Sequence, residues 1–400
     1  MAFEKVRLAD CCIIKPPKSE AKKLLSSDDN VSFVPMNNLG IDNKFLTLDA
    51  NKKLSEVSGS YTYFSENDVL LAKITPCFEN GKLGIATGLT NGVGFGSSEF
   101  IVFRSKGGVD PNYLYYYLLQ PSFRESGQKV MTGAVGHKRV PKDFIENTKI
   151  PLPSILEQKR IVAILDQAFA DIEQARAKTE QNLKNARELF ESYLQQVFSQ
   201  RGEGWIETTL SEACSFSQGI QVGVTKQYDD LTEERIRFLR IVDFTQGKEE
   251  VRYVDFPGEK YVVCESDVAL VRYGASAGFV CTGLEGVIAN NLFKVTPKIE
   301  KIKSTYLYYY LCSSIFQGPI QRVIGGAAMP ALSFSMINDL KFSYPEITDQ
   351  IDIVAGITMF QEKIESIESI YLSKLTKLDE LKKSILQKAF SGELTKTLEG

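Results

Sequence analysis

Histidine and cysteine perform much of the chemistry in protein active and metal sites, and this chain offers few of them in a usable arrangement. Its 400 residues include one histidine, His137, and seven cysteines without a C-x-x-C pair. A single histidine excludes zinc sites built on histidine pairs and leaves one candidate for the base of a catalytic triad. Reduced thiols in a cytoplasmic protein explain the scattered cysteines better than disulfides or a zinc site.

The motifs that enzymes use for nucleotides and cofactors are also missing from the sequence. There is no G-x-x-x-x-G-K-[ST] phosphate loop and no Asn-Pro-Pro-Tyr-like motif of adenine methyltransferases. Carboxylates are abundant, but no nuclease-like carboxylate and lysine set falls on a plausible strand pair. We therefore expect neither catalysis nor a bound cofactor or metal.

Hydropathy and charge narrow the class of protein further. No apolar run reaches the roughly 18 residues of a membrane span, and the N-terminus lacks the hydrophobic region of a signal peptide. The formal net charge is −3. If the chain binds nucleic acid, a partner protein would have to supply part of the phosphate neutralisation.

The elements that would position functional side chains occur twice. YLYYYLL at 113–119 recurs as YLYYYLC at 306–312, 193 positions later. Asp68 to Lys73 parallels Asp267 to Arg272, and Phe198-Ser199 parallels Phe390-Ser391. Colinear matches over both halves indicate a tandem duplication of a unit of roughly 195 residues.

Each unit begins with a region of about 150 residues, rich in glycine, β-branched and aromatic residues, which predicts short strands joined by turns. Predicted strands include 69–74, 99–104, 261–273 and 291–297. The segment 113–119 follows Asp110-Pro111-Asn112, a pattern that favours a short buried helix. We expect its tyrosines to pack in the core rather than to stack on bases.

Each unit ends in a long helix. Ser154 and Glu157 form a capping-box pattern, and apolar residues then recur every three to four positions as far as Val197 without Gly or Pro. The second copy keeps this spacing from Ile357 to Ala389. Such helices are unstable with an exposed apolar seam, so we expect them to pack on each other as a coiled coil. The approximate two-fold symmetry of a duplicated chain favours antiparallel pairing, with a globular domain at each end.

The sequence therefore predicts an α+β fold: a tandem duplication of a globular α/β domain followed by a long helix, with the two helices pairing as an antiparallel coiled coil. The expected segments are 1–150 for the first globular domain, 151–202 for the central helix, 203–345 for the second globular domain, and 346–400 for the distal helix and tail.

This organisation resembles the specificity subunits of Type I restriction-modification systems. Two segments carry the resemblance most specifically: IPLPSILEQKRIVAILDQ at 150–167 and KSILQKAFSGELT at 383–395. The second copy of the helix entry, YPEITDQIDIV at 344–354, is degenerate but retains Pro345, Asp349-Gln350 and Ile353-Val354. The resemblance covers essentially the whole chain.

The resemblance implies a non-catalytic, cytoplasmic subunit with two target recognition domains. Each would read one half of a bipartite, asymmetric site in double-stranded DNA for adenine methylation, while the helices set the spacer. Its implied partners are two methyltransferase subunits and restriction subunits with translocase and nuclease activity. The alternatives are a coiled-coil scaffold that binds proteins without sequence-specific DNA binding, a stand-alone enzyme, and a specificity subunit of another restriction type.

Candidate DNA contacts follow from residue type and turn position. In the first domain these residues lie at a strand end, after the Asn80-Gly81 turn, and in a glycine-containing loop with three donors: Lys73, Thr75, Lys82, Thr132, His137, Lys138 and Arg139. The loop, 132–139, is the best single stretch. The competing interpretation is an exposed turn with solvated cations.

The second domain has different residues at equivalent places. Arg272, Tyr273 and Ser276 lie in the loop that corresponds to Lys73–Thr75, and Gly325–Pro330 replaces the basic loop. Four further residues are expected to compensate for that missing loop: Gln218, Gln221, Lys226 and Arg240. Two domains that read different half-sites are expected to differ in this way.

Overall fold

The computed structural model describes residues 3–247, 250–325 and 330–395. They fall into two compact units, one within Met1–Thr179 and Ser373–Gly400, the other within Glu180–Leu372. Each unit contains one globular domain and one half of each long helix.

The first domain begins with β1 and closes with β10, which pairs back onto β1. Its strands are β1 (Lys5–Arg7), β2 (Cys12–Ile14), β3 (Asn30–Val34), β4 (Asn51–Lys53), β5 (Thr62–Ser65), β6 (Val69–Ala72), β7 (Leu83–Ile85), β8 (Val93–Gly96), β9 (Phe100–Ser105) and β10 (Lys149–Pro151). Its helices are α1 (Leu8–Cys11), α2 (Ser19–Leu24), α3 (Leu54–Val57), α4 (Pro111–Leu119), α5 (Pro121–Val130) and α6 (Lys142–Asn147), and the long helix α7 (Ile155–Ser199) follows.

The second domain repeats this order. Its strands are β11 (Ile206–Thr209), β12 (Cys214–Gln218), β13 (Arg235–Leu239), β14 (Arg252–Asp255), β15 (Val262–Val263), β16 (Val268–Val271), β17 (Val280–Cys281), β18 (Gly286–Ile288), β19 (Leu292–Pro297) and β20 (Lys341–Tyr344). Its helices are α8 (Leu210–Ala213), α9 (Ile241–Thr245), α10 (Ser304–Cys312), α11 (Ser314–Ile324) and α12 (Phe334–Ile337), followed by the long helix α13 (Ile347–Ser391). The predicted strand 261–273 is wrong as one element, because a turn at Cys264–Asp267 separates β15 from β16.

The two domains have the same sheet topology. The first has two four-stranded sheets, β2-β9-β6-β7 and β4-β3-β8-β5, and the second has β12-β19-β16-β17 and β14-β13-β18-β15. Each domain also contains a parallel pair at the same place, β3 with β8 and β13 with β18. The identical strand order confirms the tandem duplication predicted from the sequence.

The tyrosine-rich helices α4 and α10 lie in the cores of their domains. Tyr113 and Tyr306 are fully buried, and each hydroxyl donates to a backbone carbonyl, that of Pro151 at 2.8 Å and that of Ser343 at 2.8 Å. Their rings pack against Phe390 and Phe198 respectively. The prediction that these tyrosines serve packing rather than base stacking is confirmed.

Within each unit the two long helices run antiparallel. In the first unit Glu173 lies beside Lys382, and Arg176 pairs with Asp379 one turn further along. In the second unit Arg187 pairs with Glu368 at 3.0 Å. The Tyr193 and Phe360 ring centroids lie 4.5 Å apart. Partner numbers fall as α7 advances, so the predicted antiparallel pairing is confirmed in each unit.

A buried glutamine joins each long helix to its domain. Gln158 in α7 donates to the carbonyls of Gly108 (3.0 Å) and Pro153 (2.8 Å) and accepts from the Asp110 N–H (2.8 Å). Both it and its counterpart Gln350 are fully buried.

Gln350 in α13 makes the same three bonds in the second domain. Its amide donates to the carbonyls of Lys301 (2.7 Å) and Pro345 (2.8 Å), and its oxygen accepts from the Lys303 N–H (3.0 Å). Each glutamine therefore forms three hydrogen bonds through its side-chain amide. These bonds connect the start of the long helix to the loop that precedes the tyrosine-rich helix.

None of the helices in the described ranges is long and apolar enough to cross a membrane.

Candidate DNA-binding clefts

The first domain contains a cleft of about 290 Å³ lined by apolar and cationic side chains. Its lining residues are Ile14, Lys15, Lys73, Ser98, Phe100, Ile101, Arg139, Val140, Lys142 and Ile145. Of the predicted contacts, Lys73 and Arg139 meet here, although they are far apart in sequence. Cations beside an apolar surface can bind phosphate or donate to base edges.

Glu99 organises the cations of this cleft. The Arg139 guanidinium donates to both Glu99 carboxylate oxygens, at 2.9 and 2.8 Å, and this bidentate pairing lowers the pKa of Glu99. The Lys73 ammonium lies 4.0 Å from the same carboxylate and donates to the Ser98 carbonyl at 3.0 Å. Partial burial lowers the pKa of Lys73, and the nearby Glu99 only partly opposes that shift.

The loop 132–139 is exposed throughout, as its composition predicts. Thr132 and Arg139 close it through reciprocal backbone hydrogen bonds of 3.0 and 2.8 Å. Gly133 has φ +127°, and a Cβ there would lie 2.8 Å from the His137 carbonyl, so this tight closure requires glycine. Among the described residues, the side chains of His137 and Lys138 make no hydrogen bond or ion pair, which leaves their donors available to a ligand.

Five predicted contacts of the first domain do not line the cleft: Thr132, His137 and Lys138 of the exposed loop, and Thr75 and Lys82. The Lys82 ammonium donates to the Met36 carbonyl at 2.9 Å, and the Thr75 hydroxyl donates to Glu79 at 2.8 Å. Both side chains are half-buried and engaged in local contacts. A role for them in DNA binding remains a prediction.

The second domain has an open cleft of about 670 Å³. It is lined by Gln221, Val222, Gln227, Phe238, Arg240, Ile241, Val242, Thr245, Gln246, Tyr273, Ala275, Ser276, Ala289, Asn290 and Asn291. Four predicted contacts meet here: Gln221, Arg240, Tyr273 and Ser276. Gln218 borders it, since its amide donates to the Asn290 carbonyl at 3.0 Å.

The remaining predicted contacts of the second domain take other positions. Arg272 lies over the rings of Tyr273 (4.9 Å) and Phe334 (5.8 Å) and does not line the cleft. Lys226 is exposed on a single 3-10 turn, Val224–Lys226. Within the loop 325–330, residues 326–329 lie outside the described residues.

Backbone hydrogen bonds identify equivalent positions in the two domains. The N–H of Lys73 donates to the Glu99 carbonyl, and the N–H of Arg272 donates to the Asn291 carbonyl. In the same way Val140 donates to Lys73 and Leu332 to Arg272. Asn291 therefore stands where the first domain has Glu99, and Ala331 stands where it has Arg139.

The sequence did not single out several lining residues of the clefts: Lys15, Ser98 and Lys142 in the first domain, and Gln227, Gln246, Asn290 and Asn291 in the second. It also did not single out Glu99, which pairs with Arg139. The repeat carried a signal for one pair, because Glu99 and Asn291 begin the matched predicted strands 99–104 and 291–297. No comparable signal marks Lys15 or Lys142, which reach the cleft from other elements.

Comparison with known proteins places both repeats in one family. The family model for the Type I restriction modification DNA specificity domain matches residues 2–183 and again 204–385. The chain is 35% identical over 218 residues to the Type I restriction enzyme EcoAI specificity subunit of Escherichia coli, a match that covers 51% of this chain and 36% of that protein. The chain thus aligns with about a third of the length of that relative.

A second relative aligns over nearly the full length of both chains. It is the Type I restriction enzyme MjaVIII specificity subunit of Methanocaldococcus jannaschii, 23% identical over 423 residues, with 98% of this chain and 93% of that protein covered.

Solved structures share the fold. A chain from a type I R-M system, solved in work on complex assembly and conformational transition, superposes with a TM-score of 0.84 at 18% identity, covering 98% of both chains. The HsdS subunit from Thermoanaerobacter tengcongensis superposes with a TM-score of 0.65 at 18% identity, covering 98% of this chain and 97% of that chain. With both repeats matched by the family model, the chain belongs to the Type I restriction modification DNA specificity family.

Proposed function

We propose that this chain is the non-catalytic DNA-recognition subunit of a Type I restriction-modification complex that acts in the cytoplasm. Each globular domain reads one half of a bipartite, asymmetric site. The paired helices set the spacer and bind two methyltransferase subunits, and restriction subunits with translocase and nuclease activity join that assembly. The comparisons do not favour the scaffold alternative, since every relative named above is a specificity subunit.

One observation carries the proposal: two domains of identical strand order present clefts of different chemistry. A duplicated scaffold that only bound two copies of one protein would be expected to keep the two clefts alike. Readers of an asymmetric site need the opposite, a shared frame with different residues facing the ligand. The cationic first cleft and the amide-lined second cleft meet that requirement.

Sequencing of methylated bases in a host that carries this chain and its methyltransferase subunit tests the proposal. We expect one bipartite motif with a fixed spacer, and no methylation when either protein is expressed alone. Methyl transfer by the chain alone would contradict its non-catalytic role. A complex that forms but methylates no defined motif would support the scaffold alternative instead.

A further inference from the structure

Four carboxamide side chains in the cleft of the second domain have unused hydrogen-bonding capacity: Gln221, Gln246, Asn290 and Asn291. Gln221 and Gln246 are exposed, and Asn290 and Asn291 are half-buried. Within the described residues none of the four side chains makes a hydrogen bond, and the Asn291 Oδ1 is buried without a partner. Each of the four offers both a donor and an acceptor to a ligand.

The backbone fixes two of these amides beside each other. The segment after β12 runs along the end of β18 and the turn into β19, with the Ile220 N–H donating to the Ile288 carbonyl at 2.9 Å and a parallel bridge from Ile220 to Ala289. The Gln218 amide holds the Asn290 carbonyl. Gln221 is therefore held close to Asn290.

Gly219 makes this close approach possible. A Cβ at that position would lie 2.2 Å from the Ile288 carbonyl oxygen and 2.3 Å from that of Ala289, too close for any other residue without a backbone shift. The two amides are thus presented by a tightly packed backbone segment, and a fixed presentation is what discrimination between similar ligands requires.

A cationic side chain is less suited than a carboxamide to read a base in this cleft. Arg240 is the cation that lines it, and its guanidinium already donates to Asp243 (3.1 and 3.3 Å) and to the Glu250 carbonyl (2.9 Å). Guanine presents two acceptors in the major groove and pairs best with arginine or lysine. Adenine presents an N6 donor beside an N7 acceptor, which matches the acceptor and donor of a carboxamide.

We propose that Gln221 and Asn290 read an A·T base pair of the half-site assigned to the second domain, through the major-groove edge of adenine. The inference rests on the proposed function and adds to it the residues and the base type. The first cleft, lined by Lys15, Lys73 and Lys142, has the chemistry for guanine and phosphate instead.

Motif analysis of methylated DNA from cells with the wild-type or variant complex tests this assignment. In the Gln221→Ala, Asn290→Ala double variant we expect one A·T position of one half-site to become tolerant, with discrimination falling roughly 5- to 150-fold. The other half-site keeps its sequence. In Asn290→Asp, a carboxylate that only accepts should shift preference at that position toward cytosine, which presents the N4 donor.

Gln321→Ala is the matched control, because this exposed amide on α11 lies in the same domain but not in the cleft. It should leave both half-sites unchanged. Trp205 fluorescence verifies folding of each variant, and if the alanine variants unfold, Gln221→Glu and Asn290→Asp decide the question. Full discrimination at every A·T pair in folded variants, or relaxation at a G·C pair only, would overturn the inference. A wild-type complex without a bipartite motif would instead refute the proposed function.

Discussion

The first and second domains share a backbone frame, meaning their sheets and helices, and differ in the side chains that line their clefts. Both have the same sheets, the same tyrosine-rich helix, and the same buried glutamine at the entry to the long helix. At the strand start beside the cleft, the first domain has Glu99 and the second Asn291, each accepting the same backbone hydrogen bond. Because the backbone bonds do not depend on the side chain, the residue at this position can change without loss of the fold.

The two domains also differ in the space next to Glu99 and Asn291. In the first domain Lys15 and Lys142 line an open cleft. In the second, Phe334 stands at the position of Lys142 and stacks on Phe216 with ring centroids 5.7 Å apart. The two packed rings fill the space that, in the first domain, Lys15 and Lys142 leave open to water. The cleft of the second domain is lined by neither ring and includes Asn290 and Asn291.

The largest effect should come from breaking the shared frame at the buried glutamines. Gln158→Ala leaves the Gly108 and Pro153 carbonyls and the Asp110 N–H without their partner, and Gln350→Ala does the same in the second domain. We expect each to lower the free energy of unfolding of its unit by about 3 kcal/mol. Urea unfolding measures this, with the sole tryptophan, Trp205, reporting on the second unit and circular dichroism on both.

Gln167→Ala provides the control, because the side chain of this exposed glutamine on α7 bonds Asp171 of the same helix and no other side chain in the described part of the molecule. We expect a change within about 0.5 kcal/mol. A loss at Gln158 with none at Gln350 would show that the two frames are not equivalent.

The next largest effect should show that the two domains recognise their half-sites independently. Replacing His137, Lys138 and Arg139 together by alanine removes the donors of the loop but keeps its backbone closure at Thr132. We expect recognition of one half-site to lose about 1–3 kcal/mol of discrimination at the contacted base pair, while the other half-site keeps its sequence. The methylation motif of cells with the variant complex measures both halves at once.

Lys129→Ala controls for the loss of positive charge, because it removes an exposed lysine of α5 that lies outside the cleft. It should leave the motif intact. If the triple variant relaxed both half-sites equally, the independence of the two domains would be wrong.

Local signals allowed much of the frame to be predicted from sequence. The apolar spacing predicted the long helices, which the structure bounds at Ile155–Ser199 and Ile347–Ser391. One of the two bonds of the predicted capping box is found among the described residues, with the Glu157 N–H donating to the Ser154 hydroxyl at 3.3 Å. The repeat predicted that the domains share one topology. These features depend on neighbours within a few residues or on comparison of the halves.

The clefts could be predicted only in part, because their walls come from long-range pairing. Lys15, Glu99 and Arg139 follow or precede strands that are remote in sequence and adjacent in the sheet. Gln221 was a candidate from its loop, but its neighbour Asn290 depends on a contact between β12 and β19. Side-chain type and turn position cannot show which loops meet, so Lys82 and Lys226 looked as suitable as Lys73.

A smaller and matched effect is expected at the buried tyrosines. Tyr113→Phe and Tyr306→Phe each remove a hydroxyl that donates to a backbone carbonyl at 2.8 Å in the core. Burial raises the pKa of both hydroxyls above the ordinary value of 10, so both remain donors at neutral pH. We expect equal losses of about 1 kcal/mol in the two units by urea unfolding. Unequal losses would show that the cores have diverged as well as the clefts.

The smallest effect distinguishes the domains by pH, at the equivalent residues Asp68 and Asp267. Burial raises the pKa of Asp68 above 3.8 in spite of its bonds from Arg104 and the Ser65 N–H. At Asp267 burial also acts to raise the pKa, but hydrogen bonds from Lys294 and the Cys264 N–H outweigh it and lower the pKa below 3.8.

These shifts have opposite consequences in acid. A lowered folded-state pKa contributes stability that is present above the unfolded value and is lost as the pH falls through the folded one, so Asp267 stabilises the second unit until the pH drops below 3.8. A raised pKa reverses the sign: ionised Asp68 costs the first unit stability, and protonation relieves that cost as the pH falls through the folded-state pKa. We expect Asp267→Asn to flatten the decline in Trp205-monitored stability as the pH falls below about 4. An unchanged decline in this variant would assign the acid sensitivity to other carboxylates and remove this difference between the domains.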